Sequence, residues 1–181
     1  MLRAPLTISP MPKFISLAAR LLLLAALAAC SPDYNWRQVQ NADAAFSALF
    51  PARPSSHAKE INLDGIRTNM SMTAAEVHGA LFAVGSAELS SAALVQPALD
   101  AMKTAMVRNI GGTIVSDKTI PGDTPYNEVI ANGSRNGQPV RLTARFAASN
   151  QRVYQAVVIG AAKDVPAEAI DTFLSSFKPG G

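Results

Sequence analysis

A single cysteine, Cys30, serves a chain of 181 residues, which excludes an intramolecular disulfide, a cysteine zinc cluster and any further thiol site. Histidine is scarce too. His57 and His78 are the two present, and neither has a second histidine or a carboxylate at metal-ligand spacing. We place His57 in the loop marked by Pro51 and Pro54, and His78 in a turn with Gly79. The sequence calls for no metal and no cofactor. Excess charge is missing as well: of 16 Lys and Arg, three (Arg3, Lys13, Arg20) fall in residues 1–29, where none of the 13 Asp and Glu lies, so 13 of each sign remain beyond. That neutral remainder lacks the positive field on which nucleic-acid binding rests.

Residues 1–29 have the build of a secretory signal: basic residues without acidic ones, an apolar run over 21–29, then small residues. The run is shorter than the roughly 20 apolar residues a spanning helix needs. Its ending, Leu27-Ala28-Ala29-Cys30, resembles the lipobox of bacterial lipoproteins. The resemblance implies cleavage between Ala29 and Cys30, diacylglycerol on the Cys30 thiol, and membrane attachment through the lipid chains. Ser31 in place of Asp resembles the pattern of lipoproteins sorted to the outer membrane, with the periplasmic face as expected address and the inner membrane as alternative. Met11 opens a second complete signal, so Met1 and Met11 both stand as starts. The expected organisation is a signal over 1–29, a lipidated cysteine and short tether over 30–35, and one globular domain over 36–181.

In that domain, 36–39 and 46–50 read as short strands, the second closed by Pro51. Ile66, Thr68, Met70, Met72 and Ala74 alternate with polar neighbours, as in a half-buried strand, and Asp64-Gly65 before it is a hairpin turn. Residues 81–87, apolar on both sides, suit a central strand. The period then lengthens: Val95, Leu99, Met102, Met106 and Ile110 make one helical stripe, with Pro97 near the first turn and Gly111 as the stop. Strands are expected over 113–120, 126–131, 140–147 and 153–159, with turns at Asn136-Gly137 and Ser149-Asn150. Asp164, read as a cap, and Pro166 precede a short helix whose apolar face is Ile170, Phe173, Leu174 and Phe177. The class is α+β: an antiparallel sheet with one long and one C-terminal helix packed on it.

Phe46-Ser47-Ala48-Leu49-Phe50-Pro51, the long helix with its Gly-Gly break, Arg152-Val153-Tyr154-Gln155 and the closing Phe173-Leu174-Ser175-Ser176-Phe177 resemble small PsbP-like envelope proteins. The resemblance implies a non-enzymatic accessory or protein-interaction module partnered with another envelope protein. Its matching positions are packing positions, so no binding residue transfers, and Ala48 departs from the larger β-branched residue expected there.

Arg141, Thr143 and Arg145 share one face of the 140–147 strand, which reads either as a surface for an acidic partner or lipid headgroups, or as an ordinary solvated sheet face. Tyr34 and Trp36 suit the headgroup zone or the core. Met70, Met72, Met102 and Met106 suit core filling or a flexible groove for a small apolar ligand, which makes a ligand carrier or sensor the alternative function. A hydrolase is the remaining reading, although Gly133-Ser134-Arg135-Asn136-Gly137 reads as a hairpin tip and not as a nucleophile elbow.

Overall fold

The computed structural model describes residues 34–180. The expected lipid site at Cys30 and the cleavage position at Ala29 lie outside the described residues. Ten strands and two helices follow in chain order: β1 (Arg37–Asn41), β2 (Phe46–Phe50), β3 (Ser55–Leu63), β4 (Ile66–Val77), β5 (Ala80–Glu88), α1 (Val95–Asn109), β6 (Thr113–Ile120), β7 (Tyr126–Arg135), β8 (Gln138–Ser149), β9 (Arg152–Gly160), α2 (Ala167–Ser176) and β10 (Lys178–Pro179). They build two sheets, one of three strands in the order β1-β2-β10 and one of seven in the order β3-β4-β5-β9-β8-β7-β6. Every pairing is antiparallel. Antiparallel pairing and two helices are thus as the sequence pattern called for, with strand the dominant component, whereas the division into two sheets departs from the single sheet expected.

Three hairpins are closed by pairs of residues with positive φ: Asp64 at 52° and Gly65 at 95°, His78 at 51° and Gly79 at 74°, Asn136 at 52° and Gly137 at 75°. Two consecutive positive φ values give the turn whose twist matches that of the flanking strands, and Asp, Asn, His and Gly enter that region most cheaply. The β8–β9 turn sits one residue later than expected, at Asn150-Gln151, between the paired Ser149 and Arg152, with Asn150 at φ 55°.

Pro97 occupies the first turn of α1, where its missing N–H costs no helical bond. The helix ends in a left-handed Gly111 at φ 52°, with Gly111 N–H donating to the Arg108 carbonyl and Gly112 N–H to that of Val107, both at 2.9 Å, a Schellman closure. Its C-terminus then presses on β7. Ser134 N–H donates to the Ile110 carbonyl at 2.7 Å, and a Cβ on Gly133 would sit 2.4 Å from that same oxygen, so glycine is required for the approach.

The large sheet is buried on both faces. On one, α1 covers Met70, Ala87, Val129, Ala131, Leu142, Ala144, Phe146, Val153 and Val157. On the other, the small sheet and α2 cover Ala75, Phe82, Val84, Tyr154, Ala156 and Val158, with Phe173 edge-on to both Phe50 and Phe82 at 5.3 and 5.5 Å. Such edge-to-face pairs add about 0.5–1.5 kcal/mol each beyond burial. β5 and β9, in the middle, are apolar on both sides for this reason.

Two-sided burial corrects the simple alternation expected of β4. Met70 faces α1, whereas Thr73 and Ala75, further along and on the opposite face, are buried at 1% and 5% exposure. Thr73 Oγ shares a 2.7 Å hydrogen bond with Ser56 and accepts from Asn41 Nδ2. Ala48, the expected misfit, is fully buried in the aromatic core, where a small side chain lets the two sheets approach. Asp164 is not the cap of α2: that position is Pro166, and Asp164 N–H closes a turn onto Ala161.

Candidate functional site

His57 is not in a loop. It belongs to β3, paired with Met72 of β4; Pro54 ends the loop, and the chain is extended from Ser55 onward. His78 is at its expected turn, with its ring edge-on to Tyr34 at 6.2 Å between centroids. Tyr34 stacks on Trp36 at 5.7 Å and meets Phe82 edge-on at 6.3 Å, so both rings pack against the aromatic core. Among the described residues, no group of three or more His, Cys, Asp or Glu could hold a metal ion, and no helix is long and apolar enough to cross a membrane.

Arg141, Thr143 and Arg145 do share a face of β8, but they do not form an open surface. Thr143 is 8% exposed. Arg145 is held from three sides: its Nε contacts Glu128 at 3.0 Å, its NH1 donates to the Leu174 carbonyl of α2 at 2.9 Å, and its guanidinium lies 4.5 Å from the Tyr126 ring centre. Arg141 alone is exposed, with Nε donating to Asn132 Oδ1. The reason is α2, which crosses this face and uses Arg145 to satisfy a carbonyl in its last turn.

The four methionines do not form a groove either. Met102 is 1% exposed and Met70 8%, and both belong to the core under α1. A groove of about 510 Å³ does open between α1 and the β6–β8 end of the sheet, lined by none of them. Val95 and Leu99 of α1 and Phe146 and Ala148 of β8 supply apolar walls; Asp100, Lys103, Asp117, Thr119 and Asn127 supply polar ones. Lys103 Nζ reaches Asp117 at 3.0 Å and Asn127 Nδ2 donates to the other Asp117 oxygen at 2.6 Å. The Asn127 bond first, then that from Lys103, holds the Asp117 carboxyl below its ordinary range. Asn127 Oδ1 is buried without a partner.

A feature the sequence reading missed lies beside this groove. β6 ends the seven-strand order and pairs with β7 alone. Its residues Ile114 and Val115 are 42% and 62% exposed, the large hydrophobic side chains most open to solvent among the described residues. A bulge between Ile114 and Ser116 leaves Val115 as the extra residue, and bulges re-aim side chains. A hollow of about 460 Å³ next to it is lined by Lys103, Thr104, Val107, Arg108, Gly111, Gly112 and Ile114. Arg108 and Lys118, both exposed, flank this edge. The available signal was the β-branched run Thr113-Ile114-Val115, which lacks the alternation expected of a strand with one solvated face.

No family model matches the chain, and no curated protein does. Among solved structures, a Pseudomonas aeruginosa protein of unknown function is similar at a TM-score of 0.40 and 12% identity, over 72% of this chain and 86% of that one. The T6SS immunity protein TplEi of Pseudomonas aeruginosa is similar in its apo form at 0.38 and 12% identity, and in complex with an "L" peptide at 0.39 and 14% identity, each over 93% of this chain and 85% of that one. Likeness at this level carries no functional content.

Proposed function

We propose that the chain is a lipid-anchored lipoprotein of the bacterial envelope whose globular part is a non-catalytic module that binds another envelope protein along the β6 edge. The observation that carries the binding role is the pair Ile114 and Val115, exposed on the strand that ends the sheet and pairs, among the described residues, with β7 on one side only. Soluble proteins blunt such edges, and an unblunted one invites strand addition by an extended segment. Arg108 and Lys118 beside it favour a segment with acidic residues among its apolar ones.

Anchoring rests on Leu27-Ala28-Ala29-Cys30. Cys30 precedes Tyr34, the first described residue, by four positions, a reach of roughly 13 Å when extended, so lipid on Cys30 would keep the module near its membrane. Ser31 favours the outer membrane and the periplasmic face. The PsbP-like assignment belongs to the same proposal: the aromatic residues of Phe46–Phe50 and of the closing Phe173-to-Phe177 segment supply the core between the sheets. The non-catalytic reading belongs to the same proposal and rests on the PsbP-like resemblance.

Fractionation of cells carrying Cys30→Ala tests the anchor. We expect the protein to lose fatty-acid labelling and move from membrane to soluble fractions with its circular dichroism unchanged. Continued membrane association of an unlabelled protein would contradict the proposal.

A further inference from the structure

A cavity at the N-terminal end of α2 has no part in strand addition. Its volume is about 180 Å³, below the about 300–1,000 Å³ of sites for drug-sized ligands, so an occupant is small. Val158 of β9, Val165 and Ile170 give it apolar walls, and Arg141, Thr143 and the start of α2 at Ala167 supply what is polar. Asp164 and Glu168, exposed on the chain nearby, are not part of the lining. Arg141 is exposed and its Nε donates to Asn132, and no carboxylate pairs with it among the described residues.

Thr143 is the sharper observation. It is 8% exposed and lines the cavity, yet its hydroxyl has no hydrogen-bond partner among the described residues. A buried hydroxyl without a partner calls for one from outside the fold. The start of α2 is open in the same way. Pro166 caps the helix without a side-chain bond, and its carbonyl accepts from the N–H groups of Ala169 and Ile170 at 3.0 and 3.3 Å. The N–H groups of Ala167 and Glu168 meet no backbone acceptor among the described residues, and they stand at the positive end of the helix dipole. Two amides, a hydroxyl and a guanidinium without a carboxylate, beside apolar walls that strengthen their attraction, are complementary to a small anion with several acceptor oxygens.

We propose that this cavity is an oxyanion site of the phosphate class, filled by free phosphate or by a phosphomonoester lipid headgroup. The Thr143 hydroxyl, the Arg141 guanidinium and the first N–H groups of α2 hold the anion. The site is independent of the β6 edge and of the binding role proposed there.

The test uses the full chain in dodecyl maltoside, a detergent without phosphate, with amide NMR of Ala167 and Glu168. The titrants are inorganic phosphate, phosphatidic acid mixed into the micelles, and sodium chloride at matched ionic strength. At least one form of phosphate should give saturable shifts at both amides that chloride does not give. Tighter saturation by inorganic phosphate assigns the site to a soluble anion, and tighter saturation by phosphatidic acid assigns it to a lipid headgroup. Thr143→Val removes the unpartnered hydroxyl and should weaken the preferred form about tenfold, roughly 1.4 kcal/mol, with the melting temperature in phosphate-free buffer unchanged or raised. Arg141→Gln, at an exposed position, should weaken it about threefold. Shifts equal to those from chloride, shifts that never saturate, or an affinity untouched by Thr143→Val would each overturn the proposal.

Discussion

The two edges of the seven-stranded sheet differ in what their uncharged stretches expose. β3 carries Lys59 and Glu60 at its centre and exposes Ser55, Ser56, His57 and Ala58, burying only Leu63 at its end. Charge on an edge makes pairing with a foreign strand expensive, because the ammonium and carboxylate would lose water. β6 carries a charged pair too, Asp117 and Lys118, and like β3 it opens with four uncharged residues, but these, Thr113 to Ser116, hold Ile114 and Val115 in solvent. The same sheet thus exposes large apolar side chains at one edge and not at the other. The difference teaches that exposure at β6 is a property of that edge and not of strand ends in this fold.

The largest effect should come from a substitution that breaks the comparison by removing the body common to both edges. Phe173, fully buried between Phe50 and Phe82, should cost about 3–5 kcal/mol as Phe173→Ala. Hydrogen exchange should then accelerate in β4 and β7 alike. Gly133→Ala comes next. The added methyl meets the Ile110 carbonyl, and the loss of about 1–3 kcal/mol expected of overpacking should fall on β6 and β7, with protection in β3 and β4 retained.

Much of this contrast was out of reach of sequence patterns, for physical reasons. Strands with a clear period, such as Phe46–Phe50, and the long helix with its Gly111 stop were legible. β3 was not, since an edge strand polar on both faces lacks period-two contrast, although the Asp64-Gly65 turn implies a strand on its N-terminal side. The second sheet was hidden because β10 is two residues long and pairs with Ser47 and Phe46 across most of the chain. Arg145 read as a surface residue because its cover, α2, comes from a distant segment. Thr143 was misread for the same reason. Of the groove, Leu99 and Val95 were visible as helix stripe, but its polar wall was not: Asp117 and Asn127 meet only through the register of β6 on β7.

Binding should separate the edges without disturbing the fold. Val115→Lys should weaken partner association at least tenfold, about 1.4 kcal/mol, while thermal stability stays within about 0.5 kcal/mol of the parent. Ala58→Lys on β3 should change neither. A smaller effect is expected from acid. Asp117 titrates below the ordinary carboxylate range, so its contribution is present above that range and is lost as pH falls through the depressed value. Because its side chain is 36% exposed, Asp117→Asn should cost under ~1 kcal/mol and flatten the acid limb of the stability profile. Tyr154 acts at the other end. Burial first raises its phenol above the ordinary value, so its contribution is intact below about pH 10 and is lost as pH rises through the folded value. Tyr154→Phe should flatten that alkaline limb.

The central claim, that β6 is the edge on which an acidic, apolar segment of another envelope protein docks, is tested most directly by site-specific photocrosslinking in cells. A photoreactive residue at Val115 should yield one defined adduct whose crosslinked peptide is extended, apolar and acidic, lost in an Arg108→Glu background and absent when the probe stands at Ala58. Equal crosslinking from both edges, or an adduct at Val115 indifferent to Arg108→Glu, would contradict the account.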